Sequence, residues 1–86
     1  MLSTLRGEAA LPQIQAWAVQ IVQRVDDAVT VEVLFEEDSN TYILRLAKAA
    51  RVLLFRLSAS QVHSDGREAE CERTLQRKIK DLSNLL

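Results

Sequence analysis

Residues 29 to 57 read VTVEVLFEEDSNTYILRLAKAARVLLFRL, and this stretch decides the fold. It holds three runs of β-branched, leucine and aromatic residues, which favour strands. The polar segment Glu37 to Asn40 separates the first two runs, and Ala47 to Ala50 separates the last two. Successive side chains of a strand point to opposite faces, so each run has apolar residues on both faces. The sequence predicts a three-stranded antiparallel meander with two partly apolar faces.

The two turns set the pairing of the strands. A four-residue turn at Glu37 to Asn40 makes one face wholly apolar, through the pairs Val31 with Leu46, Val33 with Leu44 and Phe35 with Tyr42. A turn at Ala47 to Ala50 extends that face by placing Leu44 opposite Leu53 and Tyr42 opposite Phe55. Because this turn lacks the glycine or asparagine that a tight hairpin favours, we expect a longer type I loop.

The reverse face carries the row Leu34, Ile43 and Leu54, with Ile43 central and the two leucines opposite it on the neighbouring strands. Charged residues flank the row, and Glu32 lies directly opposite Arg45. An apolar centre with a charged rim is typical of a protein interface. We therefore predict an interaction surface formed by Leu34, Ile43, Leu54, Arg45 and Arg56. In the alternative, one helix packs on each face and the row is internal core.

Helical patterns lie on either side of the meander. The first helix begins near Pro12, and we expect its Trp17 to be largely buried against the sheet. Ser58 followed by Gln61 predicts another helix start. The final helix, about residues 66 to 84, presents the stripe Cys71, Leu75, Ile79, Leu82 and Leu86. A competing interpretation makes residues 42 to 57 one helix, but it leaves Leu44, Val52 and Phe55 on a polar side.

The order predicts an α+β fold in one domain, residues 1 to 86: helix, three-stranded antiparallel β-meander, helix. This order resembles that of the double-stranded RNA-binding domain. That family has a lysine-rich segment at the start of its last helix, which contacts phosphates. Here the matching residues, 65 to 70, are predominantly acidic and would repel phosphates.

Composition argues against an enzyme. The 86 residues are 48% hydrophobic and 27% charged, which is ordinary for a globular domain. His63 is the only histidine and Cys71 the only cysteine; we expect a solvated role for the first and a core position for the second. The acidic turn after Glu36 lacks the spacing of a calcium loop. We expect no catalytic residue, cofactor or metal, and a cytoplasmic chain, since there is no signal-peptide pattern and no run of about 20 apolar residues.

Two functions fit these features. The first is a non-catalytic protein-interaction module, self-associating as a homo-oligomer through the sheet face or the C-terminal helix. The second is nucleic-acid binding through Arg45, Lys48, Arg51 and Arg56, which occur with no acidic residue between them. Residues 1 to 43 hold two basic and seven acidic groups, and residues 44 to 86 hold nine basic and five acidic. We favour the first function, because the two halves can neutralise each other across the sheet.

Overall fold

The computed structural model describes residues 1 to 84 and confirms the predicted α+β order. After a short 3-10 helix at Gly7–Ala10, helix α1 spans Leu11–Val25. Strands β1, β2 and β3 span Thr30–Glu36, Thr41–Lys48 and Arg51–Ser58 and form one antiparallel sheet in that order. A short helix α2, Ala59–His63, precedes the final helix α3, Glu68–Asn84.

Local sequence explains the helix boundaries. Pro12 lies in the first turn of α1, where its missing N–H is tolerated. Helix α2 begins with the predicted capping box: Gln61 N donates to Ser58 Oγ at 3.1 Å, and Ser58 N donates to Gln61 Oε1 at 2.9 Å. Glu68 and Glu70 lie in the first turn of α3, where carboxylates complement the helix dipole.

Helices α1 and α3 pack on the same face of the sheet and against each other. The face they cover is the one that carries the odd-numbered residues of β1 and β3 and the even-numbered residues of β2. The core holds Ile14, Ala18, Ile21, Leu44, Leu46, Leu57, Leu75 and Ile79, all at most 1% exposed. The predicted α3 stripe is buried from Cys71 to Leu82, and Leu86 lies outside the described residues.

Trp17 is partly buried and packs against this core from its margin. The largest fully buried side chain is Tyr42. Its hydroxyl donates to the carbonyl of Gly7 at 3.0 Å, and burial raises the pKa of the phenol. Gly7 has φ of 57°, a conformation that glycine adopts without a steric penalty. Tyr42 thereby joins the N-terminal segment to the centre of the sheet.

The first hairpin has the predicted register, with Val33 opposite Leu44. The second differs, because its turn has only two residues, Ala49 and Ala50, between the paired Lys48 and Arg51. Leu44 consequently lies opposite Phe55, two residues beyond the predicted partner. Ala49 adopts a φ of 54°, the left-handed region that usually favours glycine or asparagine. The expected longer loop was wrong because strand pairing forces alanine into a tight turn.

Candidate interaction surface

The reverse face of the sheet carries no helix in the described part of the chain, since α1 and α3 both lie on the other side. Three large apolar side chains are exposed there: Leu34 at 46%, Val52 at 49% and Leu54 at 59%. Ile43, between them on the central strand, is half-buried by its neighbours within the sheet. We call this exposed surface of β1, β2 and β3 the open face. The predicted row of Leu34, Ile43 and Leu54 is therefore not internal core.

The row is arranged differently from the prediction. Leu34 lies opposite Ile43 as expected, but Leu54 lies opposite Arg45, and Ile43 has Arg56 as its partner on β3. The two-residue turn shifts β3 by two positions along β2, which changes every cross-strand partner but leaves each side chain on its predicted face. Leu54 is therefore the diagonal neighbour of Ile43 across the β2–β3 pair. The five predicted surface residues do share one face.

The open face carries acidic side chains on β1 and basic side chains on β2 and β3. Arg56 on β3 reaches Glu36 on β1, with 3.4 Å between Nη2 and Oε2. The pKa of Glu36 is lowered, first by a 2.6 Å hydrogen bond from Ser39 Oγ and then by Arg56. Arg45 lies opposite Glu32 as predicted, although the two form no ion pair among the described residues.

The outer edge of β1 is covered by a residue that the sequence did not single out. The side-chain amide of Gln15, on α1, donates to the carbonyl of Val31 at 2.6 Å and accepts from the N–H of Val33 at 3.1 Å. It therefore occupies the two positions that an added strand would use. Its position next to Ile14, at the border of the buried side of α1, was the available signal in the sequence.

The outer edge of β3 is open. In an antiparallel sheet each residue directs its N–H and C=O to the same side, and the next residue directs them to the other. Because Val31 and Val33 point away from β2, even-numbered residues of β1 bond to odd-numbered residues of β2. Even-numbered β2 residues then bond to odd-numbered β3 residues, which leaves the backbone groups of Val52, Leu54 and Arg56 outward. No described residue bonds to them.

The four basic residues of the nucleic-acid alternative do not form one patch. Lys48 Nζ lies 2.6 Å from Asp26 Oδ2 on the helix-covered side, and Ser83 Oγ donates to the same oxygen at 2.6 Å. These bonds, with Lys48 first, lower the pKa of Asp26 from 3.8 to about 2. The side chains of Asp26, Lys48 and Ser83 thereby join the ends of α1, β2 and α3. Arg51 is exposed at the start of β3, while Arg45 and Arg56 lie on the open face.

His63, Cys71 and Ser58 have structural positions. His63 is half-buried rather than solvated, and its Nδ1 lies 3.0 Å from the carbonyl of Ser3. Cys71 is buried as predicted, and desolvation raises the pKa of its thiol. Ser58 serves as the cap of α2. Within residues 1 to 84 there is no group of three or more histidine, cysteine or acidic side chains placed to hold a metal ion.

Comparison with protein-family models, with curated proteins and with solved structures gives no match for this chain. The resemblance to the double-stranded RNA-binding domain therefore stays a resemblance in element order. Among the described helices, none combines the length and the apolar character needed to cross a membrane. The class that the fold itself defines is a two-layer α+β domain with one sheet face open.

Proposed function

We propose that this chain is a non-catalytic protein-interaction module that binds a second copy of itself through the open face. The observation that carries the proposal is the placement of both long helices on one side of a sheet whose other side is partly apolar. An antiparallel sheet with one solvated face normally alternates apolar and polar residues. Here Leu34, Val52 and Leu54 break that alternation on the solvated side.

The strength of the contact follows from the area that remains to be covered. Full burial of a leucine or valine side chain contributes about 1.5–3 kcal/mol, and each of the three exposed residues is already about half covered in the single chain. Their further burial therefore contributes roughly 3 kcal/mol per copy and roughly 6 kcal/mol in a dimer that buries both faces. The open face spans about 26 Å along the strands and about 14 Å across them. These values support a weak dimer that forms at high micromolar concentration.

The charges favour one arrangement of the two copies. With a two-fold axis parallel to the strands, β1 of one copy lies over β3 of the other, so that Glu32 and Glu36 face the partner's basic β3. With the axis perpendicular to the strands, β1 lies over β1 and the carboxylates repel. The first arrangement also lets Arg56 exchange its pairing with Glu36 in its own chain for the equivalent pairing between chains.

The first experiment measures mass by light scattering and sedimentation from about 10 µM to 1 mM, for the wild type and for Leu54→Glu. A charge placed in a desolvated apolar patch opposes association, so Leu54→Glu should remain monomeric. Leu5→Glu is the matched control, because Leu5 is 43% exposed and lies outside the sheet. Circular dichroism should give both variants the wild-type fold. A wild type that stays monomeric at 1 mM would refute the proposal.

Reversing the charges of residues 36 and 56 tests whether the two-fold axis of the dimer is parallel to the strands. Glu36→Arg and Arg56→Glu should each weaken self-association, because like charges then face each other twice across the axis. An equimolar mixture of the two variants should restore association, since each β1 in the mixed dimer faces an oppositely charged β3. Equal weakening in the mixture would exclude the axis parallel to the strands.

A further inference from the structure

We infer that the open edge of β3 is a second binding site, which takes an extended acidic segment of a partner protein as a fourth strand. Two observations support it: the backbone groups of the β1 edge are paired whereas those of the β3 edge are not among the described residues, and positive charge lies beside β3. It does not depend on the proposed self-association, which uses the open face.

The two edges differ in their backbone groups. At β1 the Gln15 amide pairs with Val31 and Val33, whereas the outward groups of Val52, Leu54 and Arg56 have no partner among the described residues. An unpaired row of N–H and C=O groups is a template for strand addition. Beside this row the chain exposes Val52 and Leu54, which gives an added strand apolar contacts on the open side.

A cleft of about 340 Å³ adjoins the same edge and is lined by Ile43, Leu54, Phe55, Arg56 and Lys78. Lys78, on α3, faces this edge from the helix side, and Arg56 faces it from the open side. Lys78 makes no ion pair among the described residues. The nearest acidic group along α3 is Asp81, one turn further on. An added strand is thus met by Lys78 on the helix side, whereas Arg56 on the open side is already paired with Glu36.

The charges beside β3 favour an acidic strand over a second copy of this chain at the β3 edge. If two copies joined through their β3 edges, the two-fold axis would bring Lys78 of each copy towards Lys78 of the other. Such like-charge pairs disfavour self-pairing. A strand that alternates apolar and acidic residues instead places apolar side chains beside Leu54 and carboxylates beside Lys78. The edge therefore fits an acidic segment from another protein better than a second copy.

The test uses a fluorescent seven-residue peptide that alternates glutamate and valine, titrated with the full chain at low salt and followed by anisotropy. A lysine–valine peptide tests the charge preference. A glutamate–valine peptide with every second amide N-methylated keeps the charges but cannot pair as a strand. We expect each of these two peptides to bind at least about ten-fold more weakly than the first. If the methylated peptide bound as tightly as the unmethylated glutamate–valine peptide, the binding would be electrostatic attraction without strand pairing, and the inference would be wrong.

Variants of the chain locate the site. Lys78→Glu should weaken peptide binding several-fold, whereas Lys80→Glu, with the same change of charge on an exposed position of α3, should not. Val52→Pro removes an outward N–H without touching the β2–β3 ladder, so it should abolish binding in a folded chain. Retained binding by Val52→Pro would refute strand addition. Because Val52→Pro also removes an apolar side chain of the open face, its peptide binding is compared with that of the wild type at a concentration at which the wild type is monomeric.

Discussion

Replacement of Gln15 tests how the helix layer is fixed to the sheet. Gln15→Met keeps the side-chain length and a similar helix propensity but removes both bonds to the backbone of Val31 and Val33. A hydrogen bond contributes about 0.5–1.5 kcal/mol net, so loss of two should lower the free energy of unfolding by about 2 kcal/mol. For a domain of this size that corresponds to a fall of roughly 10 °C in melting temperature.

Urea unfolding followed by circular dichroism measures this change, and an unchanged m-value would show that the two-state comparison holds. Gln23→Met is the control, because Gln23 is exposed on the same helix and its replacement should alter stability by less than about 0.5 kcal/mol. Gln15→Met should also uncover the β1 edge and increase the formation of larger species at high concentration. A Gln15→Met chain as stable as the Gln23→Met control would refute the role given to the amide.

Three further predictions concern local features. Asp26→Asn should destabilise the chain at neutral pH, and the difference from wild type should shrink as the pH falls from about 4 to about 2. The folded-state pKa of Asp26 is depressed from 3.8 to about 2, so its stabilising contribution is present above the unfolded value and lost below the folded one; unfolding at several pH values measures this. Ala49→Gly should raise stability by about 0.5–1 kcal/mol in urea unfolding, because the left-handed conformation penalises a Cβ. The wild type should show no affinity for DNA or RNA that falls steeply with salt in anisotropy titrations, since Lys48 and Arg56 are paired with carboxylates; submicromolar, salt-dependent binding would contradict this.

The faces of the sheet could be predicted because side-chain direction has a period of two. The predicted register of the second hairpin was wrong by two residues, yet Leu34, Ile43, Leu54, Arg45 and Arg56 still share the open face. A slip of two positions changes partners and preserves faces. The start of α2 was likewise predictable, because a capping box is complete within four residues.

The position of the helices was not predictable from the pattern alone, because both sheet faces carry apolar residues and either could have been covered. The half-buried position of Trp17 and the tight turn at Ala49 also depend on long-range packing, which overrides local propensity.

The sequence by itself determined the α+β order, the strand faces and the amphipathic stripes of the helices, since these depend on spacing along the chain. Only the tertiary structure decided that Gln15 covers the β1 edge and that, within residues 1 to 84, one sheet face stays open and the β3 edge remains unpaired. Each of these depends on which distant segments meet. The identity and spacing of a single polar residue on a helix do not indicate which strand its side chain will contact.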